Sequence, residues 1–275
     1  MRLIKGSSLK RCRPNGAHMP KSYDLLVKRL QKISALGEAS ALLQWDQETY
    51  MPPGGTEARA MELSTLSAIM HEMFTAPEVG RLLAAAQKEE TDEKHKALLR
   101  ETRFAFDRAT MVSTDLVERM SRATSRALPL WAEARQKSEF QIFRPILEEI
   151  VDLKRQYAAA IDSSAPAYEV LFRDYEPWIS LDETRRNLAT LRDGLKPLIA
   201  KAAAATKAKD VFAGTWPQAA QHHFSVSVLK ELGYDFDRGR LDISHHPFST
   251  GDVYDSRITT RYDESHPLGA LLGTI

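Results

Sequence analysis

Two short stretches near the C-terminal end bring together side chains capable of chemistry: His245-His246-Pro247-Phe248 and Asp255-Ser256-Arg257-Ile258-Thr259. Pro247 fixes the backbone that follows His246. On a strand, Asp255, Arg257 and Thr259 fall on one face, so an acid, a base and a hydroxyl point the same way. Such a face needs partners. It is either a structural Asp–Arg network at a sheet edge or a strand that contacts a substrate.

Other chemistries find less support. A zinc-binding helix presents His at i and i+4 with Glu after the first His. His71-Glu72 begins that pattern, but position 75 is Thr, so His71 reads as an ordinary surface or half-buried residue. The adjacent pairs His222-His223 and His245-His246 diverge on a helix or strand and do not readily face one ion. Neither a serine elbow nor a phosphate-cradling glycine loop is present, and Cys12 has no evident base beside it. Carboxylates in stretches such as EEIVDLKRQ alternate with Lys and Arg, as on a solvated helix face.

The elements that must position these groups are mostly helical. Leu25, Leu26, Leu30 and Ile33 share one face of a first helix, which Met51-Pro52-Pro53-Gly54-Gly55 must end. Thr56 is placed to cap a second, with Leu66, Ile69, Met70 and Met73 on its apolar side, ending near Thr75. Pro77 opens a third. Further on, Pro129 is expected to kink or break a long helix, and Pro145 to open the next. Ser180 and Glu183 form a capping-box pattern ahead of Leu188, Leu191, Leu195 and Leu198 at helical spacing. Beyond Gly233 the composition shifts to Asp, Gly, Ser and Thr. Residues 257–262, RITTRY, favour a strand that must pair with another.

With 275 residues, 43% hydrophobic and 27% charged, the chain has ample material for a core. Its formal net charge of +1 supplies no field to recruit nucleic acid or an anionic membrane. The single cysteine rules out an internal disulfide framework and fits a reducing compartment, so a cytoplasmic location is expected. No apolar run reaches the roughly 18 residues that a membrane span needs. Residues 1–18 carry five basic residues and no acid but lack the apolar core of a signal. They are expected to be a disordered upstream extension or cloning remnant before a start at Met19.

HPF at residues 246–248 and Asp-x-Arg-x-Thr at 255–259 resemble two signature motifs of the Taq-type metallocarboxypeptidases. LLQWDQETYMPPGG at 42–55, WAEAR at 131–135 and the ELGYDFDRGRLD approach to HPF extend the likeness over residues 19–275. One departure is Trp178 in DYEPW, where family members commonly carry Gly.

The resemblance implies an all-α, long-helix metallopeptidase-like domain with a minor antiparallel β element near residues 242–262. It implies a zinc enzyme that releases C-terminal amino acids from peptides. In the family a stretch like GALLGTI leads into a His-Glu-x-x-His helix, so 19–275 corresponds to the N-terminal half, truncated before the zinc-binding helix. On that basis no catalytic residue and no metal ligand lies in this sequence, and no zinc is expected to bind to it. The chain is expected to be inactive alone. The candidates for shaping the substrate cleft are His246, Phe248, Asp255, Arg257 and Thr259. Implied partners are a peptide substrate and either a C-terminal half or a homodimer mate. The alternative is a non-catalytic helical module that binds peptide or a partner subunit.

Overall fold

The computed structural model describes residues 21–89, 92–205 and 213–273. The expected extension at residues 1–18 lies outside them. The order is α1 (Ser22–Thr49), α2 (Thr56–Thr75), α3 (Pro77–Glu89), α4 (Glu93–Ala109), α5 (Thr114–Lys137), α6 (Phe140–Ile161), α7 (Ala167–Phe172), α8 (Leu181–Ala204) and α9 (Gln218–Glu231). Strands β1 (Gly239–Ile243), β2 (Ser249–Gly251) and β3 (Ser256–Thr260) follow, then α10 (Pro267–Leu272). The expected all-α class with a small sheet is what the chain adopts. Among the described residues no helix is long and apolar enough to cross a membrane.

Local chemistry sets most boundaries. The Pro-Pro-Gly-Gly run ends α1 and forms a short 3-10 turn. Thr56 is the first residue of α2 rather than its cap, because Gly55 holds the capping position and the Thr56 hydroxyl donates back to the Pro53 carbonyl. Asp92 caps α4 by accepting from the Lys94 and His95 amides, and Ser180 caps α8 by accepting from the Glu183 amide at 3.1 Å.

Of the two prolines expected to shape long helices, Pro129 does not break its helix and Pro145 does not open one. Helix α5 runs through Pro129 without a break. The missing proline N–H frees the Ser125 carbonyl, and the Gln47 amide from α1 donates to that oxygen at 2.9 Å. Helix α6 begins at Phe140, so Pro145 lies inside it. There the freed carbonyl is that of Gln141, an exposed residue where water can serve.

Helix α2 packs on α5, α5 on α6, and α1 on both α2 and α3. One core cluster joins Val112, Leu116, Ala123 and Ala127 to Ile146 and Leu153, bringing the start of α5 and its middle against α6. A second gathers Leu26, Val79, Leu83, Ala86 and Leu99 from α1, α3 and α4. Helix α8 buries none of its residues, and its leucine row stands in solvent.

The sheet has the order β1-β3-β2 and is mixed. Strand β2 pairs antiparallel with β3, as expected, whereas β1 pairs parallel with it, in register Arg240 with Arg257 and Asp242 with Thr259. The strand bearing Asp-x-Arg-x-Thr is therefore central, not an edge. Gly251, at φ +93°, makes the tight return from β2 to β3, where a side chain would collide with the Asp255 carbonyl.

Leu83 is fully buried and Leu188 is 59% exposed. Leu83→Ala is expected to cost about 2–5 kcal/mol, and Leu188→Ala to stay within about 0.5 kcal/mol, in denaturant unfolding. Equal losses at the two positions would contradict this arrangement of the core.

Candidate functional site

The site is built where the end of α1 meets the sheet. Parallel register sets Arg240 beside Arg257 on one sheet face. Both guanidinium groups lie over the indole of Trp45, with their carbons 4.9 Å and 4.1 Å from its centre. Each arginine is neutralised by a two-pronged carboxylate. Arg240 donates to both oxygens of Asp242 at 2.6 and 2.8 Å, and Arg257 to both oxygens of Asp255 at 2.9 Å. The Tyr50 hydroxyl donates to Asp242 at 2.5 Å and accepts from Arg240 at 2.8 Å. The bond to Asp242 pushes the Tyr50 phenol above its ordinary value, and the bond from Arg257 holds the Asp255 carboxyl below its own.

The structure places the five candidate residues in three settings. Asp255 and Arg257 form the ion pair just described. Thr259 is fully buried, where its hydroxyl accepts from the Phe248 amide at 2.9 Å and lies 2.7 Å from the Ser244 hydroxyl. Phe248 is thereby held through its backbone. The imidazole of His246 is exposed, with Nδ1 3.0 Å from the Pro247 carbonyl and its ring 6.3 Å from that of Trp131 on α5. Arg135 stacks on the same indole and donates to the His245 carbonyl at 3.1 Å, which ties the His-Pro-Phe loop to α5.

Beside this loop lies a cavity of about 570 Å³ between α1, α2, α5 and α6, open to solvent. Its wall includes Gln44, Gln47 and Glu48 from α1, Ser121, Ser125 and Trp131 from α5, and Phe143 and Tyr157 from α6. Glu48 is half-buried, and its Oε2 is sealed from solvent with no hydrogen-bond partner. Burial pushes its carboxyl above the ordinary glutamate value, and the nearby imidazole of His246 opposes that.

Trp45, Tyr50, Arg240, Asp242 and Glu48 were not among the residues expected from motif chemistry. Trp45, Glu48 and Tyr50 belong to LLQWDQETYMPPGG and Arg240 and Asp242 to ELGYDFDRGRLD, both visible in the sequence, but the contacts that join them span about 190 residues. His71 is structural, with its ring nitrogens 3.1 Å from the Thr114 hydroxyl and 3.0 Å from the Ala109 carbonyl.

A model described as carboxypeptidase Taq (M32) metallopeptidase matches residues 25–275. The chain belongs to the Taq carboxypeptidase (M32) family. It is 30% identical over 273 aligned residues to thermostable carboxypeptidase 1 of Thermus thermophilus, covering 92% of this chain and 53% of that one. Carboxypeptidase 1 of Bacillus subtilis is likewise 30% identical, over 254 residues, with 90% of this chain and 50% of the relative covered. Among solved structures, BsuCP superposes with a TM-score of 0.85 at 29% identity, and Trypanosoma cruzi metallocarboxypeptidase 1 with 0.73 at 31%. Each superposition covers 92% of this chain and 52% of the other. The chain thus spans about half the length of the relatives it matches.

The family is metal-dependent. Among the described residues no group of three or more His, Cys, Asp or Glu side chains is arranged to hold a metal ion. The His222 ring nitrogen is 3.0 Å from the Tyr262 hydroxyl and His266 lies against Asp263 and Ser265, so the donor set does not fit zinc.

A carboxylate whose value is raised by folding weakens the fold above that value, and the difference disappears once both folded and unfolded forms are protonated. Glu48→Gln is therefore expected to raise the melting temperature at neutral pH. The gain should shrink as pH falls through the raised value and vanish below about 4.3, the unfolded glutamate value. Melting curves across this range check it, and a gain that persists in acid would contradict the assignment.

Proposed function

We propose that this chain supplies the helical wall and the sheet side of the peptide cleft of a zinc metallocarboxypeptidase that releases C-terminal amino acids. The observation that carries the reading is the junction of α1 with the sheet. It sets Trp45 of the WDQETY segment against Arg257 of Asp-x-Arg-x-Thr, while Gln47 and Glu48 of the same segment wall the cavity and Arg135 of α5 holds the His245 carbonyl beside His-Pro-Phe, in a chain of the M32 family.

In this reading the Asp255–Arg257 pair and the Thr259 hydroxyl hold β3 and the backbone of Phe248 rigid, while His246 and Arg257 border the cleft. Rigid positioning of this kind serves catalysis by limiting the ways a peptide can lie. Zinc supplies a polarised water in such hydrolases. Because the described residues do not fit the metal, no step of the reaction is assigned to them. We further propose that residues 1–275 alone do not hydrolyse peptides.

A second reading, as a subunit-interaction module, is favoured by α8. Leu188, Leu191 and Leu198 are 59%, 56% and 62% exposed along one side of a 24-residue helix, an apolar row suited to a protein partner.

The coding sequence beyond the Ile275 codon separates the two. A frame that continues into His-Glu-x-x-His is expected, and a longer chain carrying that motif should release C-terminal residues when loaded with zinc. The 275-residue chain should release none. Peptide hydrolysis by the short chain would overturn the proposed inactivity, and a native stop codon after Ile275 would favour the interaction module.

A further inference from the structure

We propose that Arg135 and Arg261 together form a binding site for a compact, doubly charged oxyanion of the phosphate type. Arg135 reaches from the last turn of α5 and Arg261 from the residue after β3. Both donate an Nη1–H to one oxygen, the His245 carbonyl, at 3.1 and 3.2 Å. These two nitrogens are therefore no farther apart than the span of two hydrogen bonds. The carbonyl is neutral, so it orients the pair without cancelling either charge. Its two lone pairs are both engaged, while most N–H groups of each guanidinium remain for a ligand.

What sets these two apart is the missing counter-charge. Arg240 and Arg257 each carry a two-pronged carboxylate, and on the helix surfaces Arg119, Arg126 and Arg144 each have an acid in salt-bridge contact. Among the described residues neither Arg135 nor Arg261 has one. Like charges held this close repel, and an anion that bridges them replaces the repulsion by two attractions. Both side chains are exposed, so their donors are open to an ion from solvent. The cationic side is also set in advance. Arg135 lies over the Trp131 indole, its guanidinium carbon 5.5 Å from the ring centre, and Arg261 directly continues the central strand. Guanidinium forks match the spacing of oxyanion oxygens, and two fixed charges favour a dianion, because a monoanion leaves one of them uncompensated. An ion there joins α5 to the end of β3 across the loop that carries His-Pro-Phe. Where the peptide-cleft reading holds, it stiffens one border of the cleft; that consequence rests on the reading, and the anion site itself does not.

Calorimetric titration of the 275-residue chain with inorganic phosphate, sulfate and acetate, at about pH 8 and constant ionic strength, tests the proposal. Phosphate and sulfate should each bind at least about tenfold more tightly than acetate. Arg135→Gln and Arg261→Gln should each weaken phosphate by at least about tenfold, and Arg135→Lys, which keeps the charge but loses the fork, should weaken it by less. Arg144→Gln, at an exposed arginine with its own carboxylate, should leave phosphate binding unchanged. No binding of phosphate, equal affinity for phosphate and acetate in the unmutated chain, affinity that survives either Arg135→Gln or Arg261→Gln, or an equal loss with Arg144→Gln would each overturn it. The comparison of ions uses the unmutated chain, so it decides the matter even if a variant fails to fold. None of these titrations depends on peptide hydrolysis, so the carboxypeptidase reading can fail while this site stands.

Discussion

Trp45 in contact with two guanidinium groups is the feature on which the rest of the arrangement rests. Two like charges on one indole would repel, and only the paired carboxylates Asp242 and Asp255 make the stack neutral as a unit. The array needs the parallel register of β1 and β3, since that register alone sets Arg240 beside Arg257. Once the array is closed, the small sheet has one orientation relative to α1. The loop that follows β1 is then delivered to α5, where Arg135 and Trp131 receive it. A sheet of three short strands has little core of its own, so docking on the helices is what gives it a defined geometry.

The last turns of α1 act as a distributor. Asp46 turns to α2, where Arg59 donates to it at 2.7 Å and also to the Leu43 carbonyl. Gln47 turns to α5, Glu48 to the cavity, and Trp45 and Tyr50 to the sheet. Consecutive helical positions point about 100° apart, so a run of polar and aromatic residues that looks unpatterned can serve several neighbours at once. Asp and Gln suit the polar ties because each can meet a fixed donor or acceptor at short range, and Trp suits the sheet because its broad face accepts two cations.

How much of this was legible in the sequence follows from the range of the forces involved. The ends of α1 and the starts of α2, α3 and α8 were readable, because Pro, Gly and Ser act within a few residues of themselves. The strand at residues 256–260 was readable from its β-branched residues, and the common face of Asp255 and Arg257 from period-two geometry. The path of α5 through Pro129 was not, since the compensating donor is 78 residues from Ser125. Nor was the parallel pairing of β1, which depends on a partner strand met only after β2. The leucine spacing of α8 implied a helix and left the fate of its apolar face open, because periodicity reports which side is apolar and not whether anything covers it. Glu48 gave no signal, as nothing in sequence distinguishes a carboxylate that ends up sealed from one that stays wet.

The bond from Gln47 to the Ser125 carbonyl carries a consequence for the order of assembly. A helix containing proline cannot close its own ladder, so the middle of α5 lacks one rung until α1 arrives. In α6 the matching carbonyl is left to water, whereas in α5 the buried Ser125 finds its partner for that carbonyl on α1. The two helices are made to consolidate together, and a fluctuation that lifts the end of α1 simultaneously loosens α5 beneath the cavity. Local opening at the distributor segment would therefore be felt as one cooperative event on both sides of the cavity, although the two segments lie far apart in the chain.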